Sequence, residues 1–246
     1  LYLEARFHRS RRDIDGTDLA ISSLESALRE DPHFAEGWAS LAETWTGAGM
    51  SLKTPVSEAF ARSREAALRA LELDDLLSPA HAALAPILAH YDRDFTGADA
   101  EYARALQLND ANGLAWHGLA LLRAYQGRVP EAFEAIRRAR ELEQTTLLFS
   151  QNHAMLLYHS RRFDEAVALA RSLLASQPRF DQARSVLIRS LVATDDAKAA
   201  LEQLALRHTD RLSMSDAGLV YAQLGRGDEA RAEIARLEKI GQQGFG

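Results

Sequence analysis

The sequence predicts an all-α fold, an α-solenoid of about seven helix–turn–helix units laid in series. Three observations point there. A short ladder of small and apolar residues recurs at helical spacing. Each ladder ends on a residue suited to stopping or capping a helix. The copies return with a period close to 34 residues, in the range that marks stacked repeats.

The ladders follow one another along the chain. Ala20, Leu24 and Ala27 lead to Pro32, and Ser63, Ala67 and Ala70 lead to Asp75. Ala98, Tyr102 and Ala105 lead to Asp110, and Ala132, Ile136 and Ala139 lead to Gln144. Ala166, Ala170 and Leu173 lead to Pro178. Shorter copies begin at Ala200 with Leu204, and at Ala230 with Ile234 and Leu237. Positions i, i+4 and i+7 lie on one helix face, and small side chains there let a neighbouring helix approach. Proline cannot continue a helix, so it ends one. The terminal residues are separated by 43, 35, 34 and 34 positions.

Upstream of the ladders lie second amphipathic segments: Trp38, Leu41, Ala42 and Trp45, then His81, Leu84, Ala85 and Leu88, then Trp116, Leu119 and Ala120. Turn signals stand between the two segments at Gly127-Arg128, Arg161-Arg162 and Gly225-Arg226. The units therefore run over about 1–34, 35–77, 78–111, 112–145, 146–179, 180–212 and 213–246, and read as one domain over 1–246. The wide first spacing predicts a longer loop over Thr46–Glu58, where Gly47, Gly49 and Pro55 fall. Pro86 lies inside a helical pattern and predicts a kink.

Composition narrows the function classes. Twenty-nine basic and 35 acidic residues give a net charge of −6, which disfavours a general binder of nucleic acid or anionic membrane. Lysine occurs only at 53, 198 and 239, so nearly all the basic residues are arginine. Hydrophobic residues at 47% rule out strong disorder. With no cysteine, the chain has no disulfide, thiolate metal site or cysteine nucleophile. No apolar stretch is long enough to span a membrane, since the most apolar region, Leu76–Tyr91, holds Pro79, His81, Pro86 and His90. The first residue is Leu1, which reads as a fragment of a longer protein or a processed chain.

Catalytic chemistry is not legible. Gly47 to Thr54 invites a phosphate-loop reading, but Leu52 stands before Lys53 where that loop needs glycine. The eight histidines show no His-Glu-x-x-His, and His153 and His159 are six apart, on different helix faces. His81 is expected at a helix seam with its ring nitrogens bonded. Arg226-Gly227-Asp228 falls at a helix–helix turn rather than on an adhesion loop. Neither an enzyme, a metal site nor a cofactor is implied. Arg6, His8, Arg9, Arg11 and Arg12 form a basic run, read as a solvated end helix.

The repeat resembles the tetratricopeptide repeat family, best at Trp116, Leu119, Ala120, Ala132, Ile136 and Ala139, with alanine in place of the usual first-helix glycine at Ala42, Ala85, Ala120 and Ala154. A narrower resemblance runs through Ala67–Asp74, Ala80–Ala85, Asp94-Phe95 before Gly97-Ala98, and Ala135–Leu142. These stretches are similar to repeat modules found after bacterial winged-helix transcription regulators, class III adenylate cyclases and some kinases. That resemblance implies a sensory or partner-binding module of a bacterial signalling protein. The alternative is a free-standing scaffold or assembly protein. The cytoplasm is the expected compartment, with the periplasm if a span lies upstream. A homodimer is compatible with either.

The family resemblance also implies a right-handed superhelix whose first helices line a concave groove. The groove positions map to Ala39 and Glu43, Ala82 and Pro86, His117 and Leu121, Gln151 and Met155, and Ser185 and Arg189, flanked by Glu36 and Tyr158. The resulting candidate partner-binding set is Glu36, Glu43, His117, Leu121, Gln151, Met155, Tyr158 and Arg189. Relatives that clamp an acidic peptide tail use lysine at such positions. None occurs here and Arg189 stands alone, so a mixed polar and apolar protein or peptide segment is the expected partner, with Met155 adaptable and Tyr158 an anchor.

Overall fold

A computed structural model describes residues 1–5, 14–50, 54–207 and 211–243. Among these the chain is entirely helical and turn, without a strand. The basic run from Arg6 to Arg12 lies outside the described residues. The helices gather into two compact blocks, Leu1–Glu143 and Gln144–Gly246. The first holds α1 (Ile14–Glu30), α2 (Ala35–Met50), α3 (Val56–Leu73), α4 (Ser78–Ile87), α5 (Phe95–Leu108), α6 (Gly113–Tyr125) and α7 (Val129–Leu142). The second holds α8 (Leu147–His159), α9 (Phe163–Ser176), α10 (Asp181–Ala193), α11 (Ala197–Leu204), α12 (Arg211–Gln223) and α13 (Gly227–Gln243). Within each block consecutive helices pack as hairpins, and successive first helices (α2 on α4, α4 on α6, α8 on α10, α10 on α12) pack side by side. This is the α-solenoid arrangement that the ladders predict.

The ladder residues are the seams. Ala20, Ser63, Ala67, Ala70, Ala98, Ala105, Ala132, Ala139, Ala166 and Ala170 have no exposed surface. Small side chains bring backbones close, and larger ones fill the remaining gaps. Tyr102 is buried and packs onto the α6 backbone at Gly118, where an added Cβ would meet the tyrosine Oη at 2.2 Å. Gly118→Ala should therefore destabilise the first block by about 1–3 kcal/mol despite alanine's better helix propensity. Urea unfolding checks this, and Tyr102→Leu in the same chain should restore part of the loss. The last ladder opens out: Ala230 is buried, but Ile234 is 53% exposed, because no described helix covers that face of α13.

Polar links repeat with the same period. After four of the five terminal residues, the side chain six positions on bonds back to that residue's carbonyl. Trp38 Nε1 reaches Pro32 O at 3.0 Å, Trp116 Nε1 reaches Asp110 O at 2.8 Å, and the Arg184 guanidinium reaches Pro178 O. His81 fills this place in the second copy, with Nε2 3.0 Å from Asp75 O and Nδ1 2.6 Å from Glu101, so both ring nitrogens are bonded at a seam as expected. One residue before the terminal residue, Asp31, Asp74 and Asn109 accept the backbone N–H two positions on, at 3.0, 2.9 and 3.0 Å. These side-chain turns replace backbone bonds that the helix ends lack.

The turns inside the hairpins are equally regular. Arg93, Gly127, Arg161, Asp195 and Gly225 all take left-handed φ, between 61° and 74°. The first four stand 34 residues apart. In four of the five the residue after the left-handed one donates to the carbonyl five positions back, as Arg128 N does to Arg123 O at 2.8 Å. That double bond pattern satisfies the last helix carbonyls. Only glycine takes this conformation without a Cβ penalty, so Arg161→Gly should stabilise the second block by up to about 1 kcal/mol, and Gly127→Ala should cost a similar amount. Thermal unfolding of both variants measures it.

One expectation about irregular spacing is corrected. Thr46–Met50 is not loop but the last part of α2. The extra residues of that unit go largely into a longer α2 and an 18-residue α3, and the connection shrinks to 51–55, of which 51–53 lie outside the described residues. Gly47 and Gly49 are helical, which removes the phosphate-loop geometry. An added Cβ at Gly49 would lie 2.9 Å from the Ala59 Cβ, so this glycine lets α3 close on α2. Deeper in that seam the Thr46 hydroxyl donates to Ser63 Oγ at 2.7 Å, and Ser63 Oγ donates to Ala42 O at 2.7 Å.

Pro86 lies inside α4 and precedes a π-helical turn at Leu88–Asp92. The physical reason is a count. The separation from 75 to 110 is 35, one more than the period. A π-turn takes in one extra residue, and Asp94 N accordingly donates to Leu88 O six positions back rather than five. Arg93 is thereby returned to the place its counterparts hold.

On this turn the His90 ring sits edge-on to Tyr125, centroids 5.4 Å apart. Burial, and then the charge of Arg93, hold its imidazole below the ordinary value of 6.5. A histidine depressed in the folded state gives stability that is whole above that value and is lost as the pH falls through the folded value. Between about pH 7 and 5 the native chain should lose more thermal stability than His90→Gln, measured by unfolding midpoints.

Candidate protein-binding face

The first-helix face of the first block is made by α2, α4 and α6. Ala39, Ala82 and His117 are 1%, 8% and 8% exposed. They lie in the seams between first helices rather than on an open surface. One helical turn on, Glu43, Pro86 and Leu121 are half-buried and reach the surface, and Glu36 is exposed. A helix places residues i and i+4 on one face but one turn apart, so the first of each pair interlocks and the second remains in contact with solvent. His117 thus belongs to the packing, while Glu36, Glu43 and Leu121 belong to the face.

In the second block α8 carries Gln151, Met155 and Tyr158, all half-buried. Tyr158 is held by neighbouring rings, edge-on to His159 at 5.2 Å and tilted against Phe163 at 5.8 Å. On α10, Ser185 is 3% exposed and interlocks, as its counterparts do. Arg189 is half-buried, but it does not stand alone. Its Nε donates to the Asp216 carboxylate of α12 at 2.7 Å. Ser185 Oγ donates to the same carboxylate at 2.6 Å, and the Arg207 guanidinium, which follows α11, closes the cluster. Asp216 and the Arg207 side chain are each 1% exposed, against 25% for Arg189.

Sequence reasoning missed this cluster. Ser185 and Asp216 are 31 positions apart, close to one period, and both lie on first helices. Arg189 and Asp216 stand 27 apart, seven short of the period, so a search for opposite charges at one period's offset would have passed over them. Arg207 carries no signal either, because it stands beyond the end of a short α11.

The face offers hydrogen-bonding and apolar groups but no paired nucleophile and base. Among the described residues no three histidines or carboxylates come together in a way that could hold a metal ion. Arg226 and Asp228, read from sequence as a helix–helix turn, are engaged locally. Arg226 bonds Glu229 at 2.7 Å and covers the Tyr221 ring, and Asp228 accepts from Arg231 at 2.6 Å. Among the described residues no helix is long and apolar enough to cross a membrane.

No protein-family model matches the sequence, and no curated protein matches it either. Solved structures do. A tetratricopeptide repeat protein from Parabacteroides merdae superposes with a TM-score of 0.63 at 17% identity, covering 98% of this chain and 93% of that one. A thermophilic tetratricopeptide repeat protein from Thermus thermophilus gives 0.60 at 20% identity, over 78% and 97%. Human IFIT1, solved as a dimer with a capped RNA, gives 0.75 at 18% identity, and this chain spans 55% of its length. Helix pairing, period and these superpositions agree that the chain has the tetratricopeptide repeat fold.

Proposed function

We infer that the chain is a non-catalytic module that binds a protein segment on its first-helix face. One observation carries this reading. In four of the five expected pairs the first helices bury one residue in a seam and leave its partner a turn later at the surface, and in the fifth Gln151 and Met155 are both half-buried. Within each block the result is a row of half-buried polar and apolar groups. Such a row suits an extended or helical segment, anchored by Leu121 in the first block or by Met155 and Tyr158 in the second.

The sequence similarity at Ala67–Asp74 and Ala135–Leu142 supports a sensory role within a bacterial signalling or transcription-regulatory protein, in the cytoplasm. The 34-residue period runs on from Asp110 through Gln144 to Pro178, which supports reading 1–246 as a single domain. A free-standing scaffold of the same fold is the second reading.

The test is affinity capture from the source cells, quantified by mass spectrometry, with baits carrying Leu121→Glu, Met155→Glu or Tyr158→Ala. A partner held by the parent chain should fall at least about tenfold with one of them. Equal capture by all four baits would move the interface off this face. Arg189→Glu is a poor bait, because it would set a second carboxylate beside buried Asp216.

A further inference from the structure

We propose that a cleft between α1, α2 and α3 binds a small aliphatic diamine. It lies on the side of α2 opposite Glu36, Ala39 and Glu43, so it is distinct from the face described above. The cleft holds roughly 310 Å³. Its base is apolar, with Leu28, Leu41 and Ala66 buried and the rings of Trp38 and Trp45 half-buried.

The rim carries two carboxylates and two guanidinium groups. Glu25 and Arg29 stand four apart on α1, and Arg62 and Glu65 stand three apart on α3. At these spacings helices close ion pairs, and this chain does so at Arg69–Glu72, Arg128–Glu131, Arg162–Glu165 and Arg226–Glu229. At the cleft neither pair closes. Arg29 donates instead to Ser26 Oγ at 2.7 Å. Arg62 turns to Glu58 at 3.2 Å and lies 4.9 Å from the centre of the Trp45 ring. The Glu25 and Glu65 carboxylates are left without an ion pair or hydrogen bond, one from each wall of the cleft.

This arrangement selects by chemistry. Two free carboxylates on facing helices call for two cationic groups, each gaining a charge-assisted hydrogen bond. The π faces of tryptophan attract cations, as Arg62 over Trp45 demonstrates within the fold. The apolar base calls for methylenes between the charges. An anion would meet two carboxylates; Arg62 is already paired with Glu58, and Arg29, bonded to Ser26 Oγ, is the one rim cation outside an ion pair. A neutral alkyl ligand would leave both carboxylates unpaired, and a monoamine would leave one.

Two of the three tryptophans line the cleft, so fluorescence reads it directly. Titration of the full chain, and of Trp116→Phe, with butane-1,4-diamine should give a saturable change. Butylamine should bind about fivefold or more weakly, and the Glu25→Gln, Glu65→Gln double variant should lose about tenfold or more in affinity. Both carboxylates are on the surface, so the double variant should keep its circular dichroism spectrum, and calorimetry provides a second readout. No saturable signal at millimolar diamine, equal binding of butylamine, or unchanged affinity in the double variant would each overturn the assignment.

Discussion

Replacing Asp216 with alanine should destabilise the second block by about 3–5 kcal/mol, the usual cost of leaving buried charge without its partner. Three donors converge on this carboxylate: Ser185, Arg189 and Arg207. The Arg207 side chain is 1% exposed and would keep its charge after the change. Asp216→Asn keeps an acceptor but removes the compensating charge, so it should give a smaller loss in the same direction. Arg189→Ala should cost least, because that side chain is 25% exposed and water can take over its role. Urea unfolding followed by circular dichroism gives the size. Hydrogen exchange gives the place, with lost protection expected on α10 and α12. A loss under about 1 kcal/mol for Asp216→Ala would show that the cluster does not hold the two helices together.

Ala105→Asp should destabilise the first block by about 4 kcal/mol, because it buries a carboxylate with nothing to pair it. Ala105 has no exposed surface and packs among Ala82, Ala85, Ala98 and Ala115. The polar groups closest in the fold are already committed. Ser78 Oγ donates to Ala105 O at 2.8 Å and accepts from Asn112 Nδ2 at 2.9 Å, and Asn112 Oδ1 accepts from Ala115 N at 3.0 Å. Ala103→Asp, two residues away and exposed, is the control and should stay within about 0.5 kcal/mol. Trp116 lies on the adjoining helix and reports the unfolding by fluorescence. Equal effects at 103 and 105 would argue against close packing at this seam.

The fold was legible because its seams are written in small residues. Ala98, Ala105, Ala132 and Ala139 recur at spacings only a helix face explains, and each is fully buried. The details that escaped are those where one residue type serves two ends. Glycine at 47 and 49 reads as a loop signal, yet Gly49 is there so that α3 can close on α2. The π-turn after Pro86 was not read either, because the extra residue between 75 and 110 shows only as a spacing. On the candidate face, the family resemblance placed its residues on first helices. It could not separate Ala39, Ala82, His117 and Ser185, which interlock, from Glu43, Leu121 and Met155, which reach the surface, because both sets share one helix side. Polar pairing between distant helices was least legible, since Arg207 and Asp216 meet only after α11 has ended short.

The π-turn at Leu88–Asp92 works like a leap day. It takes in a surplus residue where it arises, so that the next three turns, at 127, 161 and 195, fall on their proper dates. The array is thus counted from its left-handed turns and not from the lengths of its helices. A first helix can gain or lose a residue in evolution or by design without dephasing the hairpins downstream, provided the change is absorbed before the next turn. Repeats of this kind are best aligned from turn to turn.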